Sequence, residues 1–168
     1  RVIVTGCLGA KGDIVQKTHP KVLSVTGPHE TEAVMNAVHL HLPKLHDPYT
    51  DLVPPQGVRL TPQHFAYLKI SEGCNHSCSF CIIPTLRGRH RSRGVEDIVA
   101  EARGLAARGV REIVLVAQDS TRYGLDHGVR DGLAYLLRRL GRVDGIRWIR
   151  VMYAYPSTLT DPILDAIA

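Results

Sequence analysis

Within eight residues, Cys74-Asn75-His76-Ser77-Cys78-Ser79-Phe80-Cys81, the chain places three thiols at C-x3-C-x2-C spacing. Clustered thiolates are soft ligands and select iron–sulfur clusters or zinc. A loop this short can wrap three corners of a cubane cluster, each cysteine giving one thiolate to one iron. Three thiolates leave one iron of a four-iron cluster without a protein ligand. That open iron can bind a small molecule, and the cluster can pass it an electron. Two other readings fit the same residues. Zinc would need a fourth ligand, His76 or the distant Cys7, whereas structural zinc sites usually come as paired C-x2-C knuckles. The third reading is three unrelated buried thiols.

Other residues have weaker claims. Cys7, in Thr5-Gly6-Cys7-Leu8-Gly9, follows a short apolar run, and a lone cysteine there is more often structural than ligating. His39 and His41 are two apart, so on a helix they do not share a face and do not suit a metal. Arg87-Gly88-Arg89-His90-Arg91-Ser92-Arg93 carries four arginines in seven residues. It reads either as a solvated basic loop or as an anion contact, since guanidinium forks suit carboxylate and phosphate. The polar run Gln118-Asp119-Ser120-Thr121-Arg122-Tyr123-Gly124 follows the most apolar strand pattern of the chain.

The elements that must position these residues alternate. Val2-Ile3-Val4-Thr5 reads as a buried strand, with Cys7 just past its carboxyl end. Val22 to Val25 reads as a second strand, and Thr31 as the cap of a helix running to His39. Five prolines between Pro43 and Pro62 mark an extended linker. Phe65 to Ile70 is the next strand, and the cysteine loop leaves its carboxyl end. A helix from Val95 to Arg108, closed by Gly109, leads to the strand Glu112 to Ala117 (EIVLVA), apolar enough to be buried on both faces. A helix over Leu133 to Leu140, a strand over Trp148 to Met152 and a helix capped by Thr160 complete the series. Alternation of this kind predicts right-handed crossovers and a parallel sheet, with ligands gathered beyond the carboxyl ends of its strands. The sheet can close, or half-close, into a barrel with its chemistry on that rim. Arg87 and Arg93 are expected to face the rim.

An apolar fraction of 44% with 22% charged residues places the chain among ordinary globular proteins and against disorder. No apolar run is long enough to span a membrane, and the apolar opening is too short for a secretory signal. Thiols poised for metal fit a reducing, cytoplasmic setting. The formal charge of +5 and pI of about 9.2 are compatible with an RNA or ribosomal partner. The chain opens on a strand and stops inside a helical pattern, so the expectation is a fragment of a longer protein.

The C-x3-C-x2-C spacing with Phe80 just before the last cysteine resembles the radical S-adenosylmethionine (SAM) superfamily. The run Tyr67-Leu68-Lys69-Ile70-Ser71-Glu72-Gly73-Cys74-Asn75-His76, followed by Cys81-Ile82-Ile83-Pro84 and Arg87-Gly88, is similar to its methylthiotransferase family. Val4-Thr5-Gly6-Cys7-Leu8 resembles the third cluster cysteine of that family's N-terminal domain. Ala117 to Gly124, Thr26-Gly27-Pro28-His29 and Tyr153-Ala154-Tyr155-Pro156 lean towards the branch that modifies an aspartate β-carbon in the S-twelve protein of the small ribosomal subunit.

The resemblance implies the following. Residues 1–46 would be the C-terminal part of an α/β methylthiotransferase domain, 47–64 a Pro-rich linker, and 65–168 the first part of a radical SAM partial TIM-like barrel. Cys74, Cys78 and Cys81 would hold the SAM-binding [4Fe–4S] cluster, with Phe80 near the adenine and Gln118 and Asp119 contacting SAM or substrate. Cys7 would serve a second [4Fe–4S] cluster in the full-length protein, and one cluster is expected here. A flavodoxin- or ferredoxin-type donor would reduce the first cluster, SAM would be cleaved to a 5′-deoxyadenosyl radical, the second cluster would supply sulfur, and a second SAM the methyl group.

The chain departs from the family in places. Ser92-Arg93-Gly94 stands where Ser-Arg-Pro is frequent, and Ala117-Gln118-Asp119 where the superfamily has Gly-Gly-Glu. Two of the second cluster's cysteines, the later strands and a C-terminal RNA-binding-like domain would lie outside the sequence, so the piece alone is not expected to complete the reaction. The competing functions are the same chemistry on a transfer-RNA adenosine, which would use nucleic acid as partner, and a non-catalytic zinc or iron–sulfur module.

Overall fold

A computed structural model describes residues 2–41 and 61–168; most of the expected Pro-rich linker lies outside the described residues. The chain divides into two compact units, Arg1–Arg59 with Thr85–Arg87, and Leu60–Pro84 with Gly88–Ala168.

In the first unit, β1 (Ile3–Val4) pairs in parallel with β2 (Ser24–Val25), Val4 opposite Val25. A 3-10 turn (Gly6–Lys11) and α1 (Gly12–Thr18) make the crossover. Gly9 is required there, because a Cβ at this position would run into the Thr26 carbonyl. The last element is α2 (Thr31–His41). Thr31 does not cap it: the Glu30 carbonyl accepts from Val34 N–H at 3.0 Å, so Glu30 holds the cap position and Thr31 is the first helical residue.

The second unit carries a three-stranded parallel sheet in the order β3-β6-β7. Strand β3 (Phe65–Lys69) leads through β4 (Ser71–Glu72), α3 (Ile83–Arg87, of which Thr85–Arg87 group with the first unit) and β5 (Arg91–Ser92) into α4 (Val95–Ala107). Then follow β6 (Glu112–Val116), α5 (Gly132–Leu140), β7 (Trp148–Val151) and α6 (Asp161–Ile167). The register sets Ala66 against Ile113 and Leu68 against Leu115, and Ile113 against Ile149. Alternate residues of a strand point to one face. Ala66, Leu68, Ile113, Leu115, Ile149 and Val151 accordingly meet Ile98, Ala102, Leu105, Leu133, Leu136 and Leu140 from α4 and α5 in one core. Tyr67, on the other face of β3, is exposed. The mixed α/β class expected from the alternation is the one observed.

The ends of α4 and α6 show how local chemistry sets boundaries. Val110 N–H reaches the Leu105 carbonyl and Gly109 N–H the Ala106 carbonyl, with Gly109 at φ +89°. This double closure needs a left-handed residue and explains the glycine. Thr160 precedes α6, but its hydroxyl donates to Asp131 Oδ1 at 2.9 Å instead of capping the helix. Its carbonyl accepts from Ile163 and Leu164 N–H.

Candidate active site beyond the carboxyl ends of the sheet

The cysteine loop begins where β3 ends. Strands β4 and β5 pair antiparallel, Ser71 opposite Ser92 and Glu72 opposite Arg91, and form a small ribbon at the base of the loop. Gly73 sits at φ +77°, and a Cβ on it would collide with the Arg89 carbonyl. Only glycine takes this turn without strain. Cys74 N–H then donates to the Gly88 carbonyl at 3.1 Å, and Asn75 Oδ1 accepts from His90 N–H at 3.0 Å. His90 itself is buried, and burial lowers its pKa against the raising influence of Asp126 and Asp119.

Cys74, Cys78 and Cys81 line one cavity of about 480 Å3. All are free thiols and half-buried. Gln118, from the residues just past β6, and Phe80 line the same cavity. Phe80 is 91% exposed, an apolar ring held out at the mouth. The Gln118 side-chain oxygen is buried and finds no protein donor. A buried carbonyl without a donor carries a desolvation penalty that a ligand N–H or O–H would relieve. Among the described residues, no three His, Cys, Asp or Glu side chains are gathered as a single metal ion requires.

Asp119, expected to touch cofactor or substrate, does not line the cavity. It is 1% exposed and lies behind the wall. Its Oδ2 is 2.6 Å from His76 Nε2, and its Oδ1 accepts from Thr121 N–H at 3.0 Å and from the Thr121 hydroxyl at 2.5 Å. The carboxylate thus caps the 3-10 turn Ser120–Arg122 on one side and holds a cavity-lining imidazole on the other. Arg93 also departs from expectation. Its guanidinium donates to the Lys69 carbonyl and pairs with Glu101 at 2.7 Å, and it borders a separate apolar pocket with Tyr123 and Tyr135. The α4 glutamate captures it before it can reach the cysteines. Cys7 sits in the first unit, on the turn after β1.

Sequence reading missed three residues of the wall. His76, by residue type a candidate zinc ligand, instead stacks its ring on Tyr155, with centroids 4.8 Å apart and planes at 22°. Tyr155 lies against Cys78, whose charge, followed by burial, raises the phenol pKa. Tyr153 has φ +57°, a left-handed backbone that is strained for an aromatic residue. Ser120 holds it there: its N–H donates to the Tyr153 carbonyl at 3.1 Å and its hydroxyl to the Met152 carbonyl at 2.6 Å. The signal for these residues was the parallel register. Lys69 pairs with Val116 and Leu115 with Val151, so whatever follows the three strands must share a rim.

Comparison with known proteins agrees with this geometry. The chain is 58% identical over its whole length to the ribosomal protein uS12 methylthiotransferase RimO of Dechloromonas aromatica, covering 40% of that protein. It is 55% identical over its whole length to the protein of the same name from Methylobacillus flagellatus, again covering 40%. For Chromobacterium violaceum the identity is 55% over 98% of this chain and 39% of the relative. The chain therefore spans about 40% of the length of the curated relatives it matches. The family model for the radical SAM superfamily matches residues 68–168, the stretch that builds β3 to α6 and the cysteine-lined cavity, and the chain belongs to that superfamily.

Proposed function

We propose that this chain carries the cluster- and SAM-binding part of a methylthiotransferase that acts on an aspartate β-carbon of ribosomal protein S12. The observation that carries the reading is the convergence of Cys74, Cys78, Cys81 and Gln118 on one cavity beyond β3 and β6. The names of the relatives supply the substrate.

The donor set fits a polynuclear cluster better than one ion. Zinc would draw its ligands round a single centre, and no such gathering exists among the described residues. A cubane takes each thiolate at a different iron, so three thiols spread round a cavity suit it. When bound and reduced, a four-iron cluster supplies the electron that cleaves SAM. The chain's own residues do the rest. The three thiolates anchor the cluster, and the Gln118 oxygen offers an acceptor to a ligand donor. Phe80 offers an apolar face at the cavity mouth, suited to a purine ring. Phe80, Tyr153 and Tyr155 give the cavity a largely aromatic rim against which a bound ligand would pack.

In the complete protein, Cys7 joins a second cluster in an N-terminal domain that residues 1–46 continue, and residues 65–168 form the start of a barrel. A flavodoxin- or ferredoxin-type protein delivers electrons. Four unpaired cysteines suit the reducing cytoplasm, and no described helix is long and apolar enough to cross a membrane.

The test is a side-by-side assay of the anaerobically reconstituted full-length protein with S12 protein and with transfer RNA, read by mass spectrometry. Methylthiolated S12 with unmodified transfer RNA is the expected result. Methylthiolated transfer RNA with unchanged S12 would replace the substrate, and no cluster absorption at all would replace the chemistry.

A further inference from the structure

We propose that His76 is a positioning residue: anchored by Asp119 and stacked on Tyr155, it fastens the cysteine loop to the rim of the sheet and holds its own peptide N–H on the Cys74 sulfur. The inference rests on the proposed cluster function for its purpose, but the anchor stands on side-chain geometry alone.

The bonds form one connected path. His76 belongs to the loop after β3, Asp119 to the segment after β6, and Tyr155 and Thr158 to the segment after β7. The imidazole takes Asp119 Oδ2 at 2.6 Å and lies flat on Tyr155. The Asp119 Oδ1 atom takes the Thr121 hydroxyl, which lies 2.5 Å from the Thr158 hydroxyl. With the Thr121 proton committed to Asp119, the Thr158 hydroxyl closes the path by donating its one proton to the Thr121 oxygen; the Tyr155 carbonyl, 3.1 Å away, is its alternative acceptor. The segment after each strand of the sheet thus sends at least one residue into the same network. The buried carboxylate at its centre has its oxygens engaged, as a buried charge must.

The consequence for the thiols follows from chain connectivity. His76 lies between Cys74 and Cys78, so fixing its ring fixes the peptide between them. That peptide's N–H donates to Cys74 Sγ at 3.5 Å. Partners of this kind orient metal ligands, and hydrogen bonds to sulfur are one of the levers on a cluster's potential. Without the anchor, the loop must find its geometry only when metal arrives. The cost of ordering it then falls on cluster assembly.

The test uses the full-length protein. The apo form, reduced and anaerobic, is treated with N-ethylmaleimide, and modification of Cys74, Cys78 and Cys81 is followed by peptide mass spectrometry. Loss of a hydrogen bond to a charged partner weakens protection by about tenfold. His76→Ala is therefore expected to speed modification of Cys74 about tenfold. His76→Gln, whose side-chain N–H can occupy the place of Nε2, is expected to remain within about twofold of wild type, a rescue that mere loss of bulk would not produce. Asp119→Asn keeps the shape and tests the charge; its Cys74 should react at a rate between wild type and His76→Ala. A folded His76→Ala protein, with unchanged circular dichroism, that reacts at the wild-type rate at all three cysteines overturns the proposal. If instead His76→Ala fails to fold, Asp119→Asn decides: a wild-type rate there overturns the proposal as well. Cluster loading of the wild type, read by visible absorption, is scored separately. Its failure retires the cluster reading and leaves the anchor judged by the labelling rates.

Discussion

Gly73 and His90 show how single residues shape the cysteine loop from below. Gly73 must turn left-handed with the Arg89 carbonyl against the place a Cβ would occupy. Gly73→Ala should therefore cost about 1–3 kcal/mol or more, because strain and collision add. Urea unfolding measures that loss, and a midpoint equal to wild type would contradict it. His90, buried beneath the loop, faces Ser92 and Asp126 through Nε2 and feels Asp119 and Arg122 at longer range. Burial lowers its pKa below the usual histidine value. The folded state then binds fewer protons than the unfolded chain over the window between the lowered value and about 6.5. Its contribution to stability is whole above about pH 6.5 and is lost as pH falls through the lowered pKa. A wild-type unfolding midpoint that declines across that window, with a decline that His90→Gln makes shallower, is the expected outcome. At this scale the sequence was only partly legible. The cysteine spacing announced itself, and Phe80 and Gln118 reached the cavity. Asp119 did not, because nothing in one dimension told that a carboxylate after β6 would be taken by an imidazole after β3. Arg93 was lost to Glu101, a partner eight residues along that only the turn into α4 brings near.

The elements were more legible, and the reason is periodicity. Alternation in Phe65–Lys69 and the apolar run in Glu112–Val116 set which side chains face α4 and α5. Boundaries agreed to within a residue or two wherever the apolar pattern was long. Caps agreed less well. Gly109 ended its helix as expected, since a left-handed closure favours glycine. Thr31 and Thr160 did not cap by side chain, since one lies inside its helix and the other is drawn to Asp131. Strand β6 is central, with β3 and β7 on either side, and its Leu115 is fully buried against the helices. Leu115→Ala should cost about 2–5 kcal/mol through lost transfer energy and the cavity left behind. Leu115→Met, nearly equal in volume, should cost under about 1.5 kcal/mol. Equal unfolding midpoints for the two variants would show that β6 is not the centre of the core.

At the scale of the molecule, three parallel strands bring their carboxyl ends to one rim, and the cysteines, Gln118 and Tyr155 arrive there from three different loops. The separate first unit presents Cys7 on its own strand end. Under the proposed function, the central cysteines would serve radical generation and Cys7 would serve a second cluster that supplies sulfur. In the reconstituted full-length enzyme, Cys7→Ala should lower iron from about eight to about four atoms per chain. It should keep SAM cleavage while losing sulfur transfer. An unchanged iron count with intact methylthiolation would make Cys7 structural. The most direct test of the whole account is SAM cleavage by the full-length Cys78→Ala protein, reconstituted anaerobically beside wild type and supplied with the same chemical reductant. Removing one of three thiolates should abolish both cluster absorption and SAM cleavage. Cleavage at the wild-type rate would contradict the assignment of this cavity as the reactive centre.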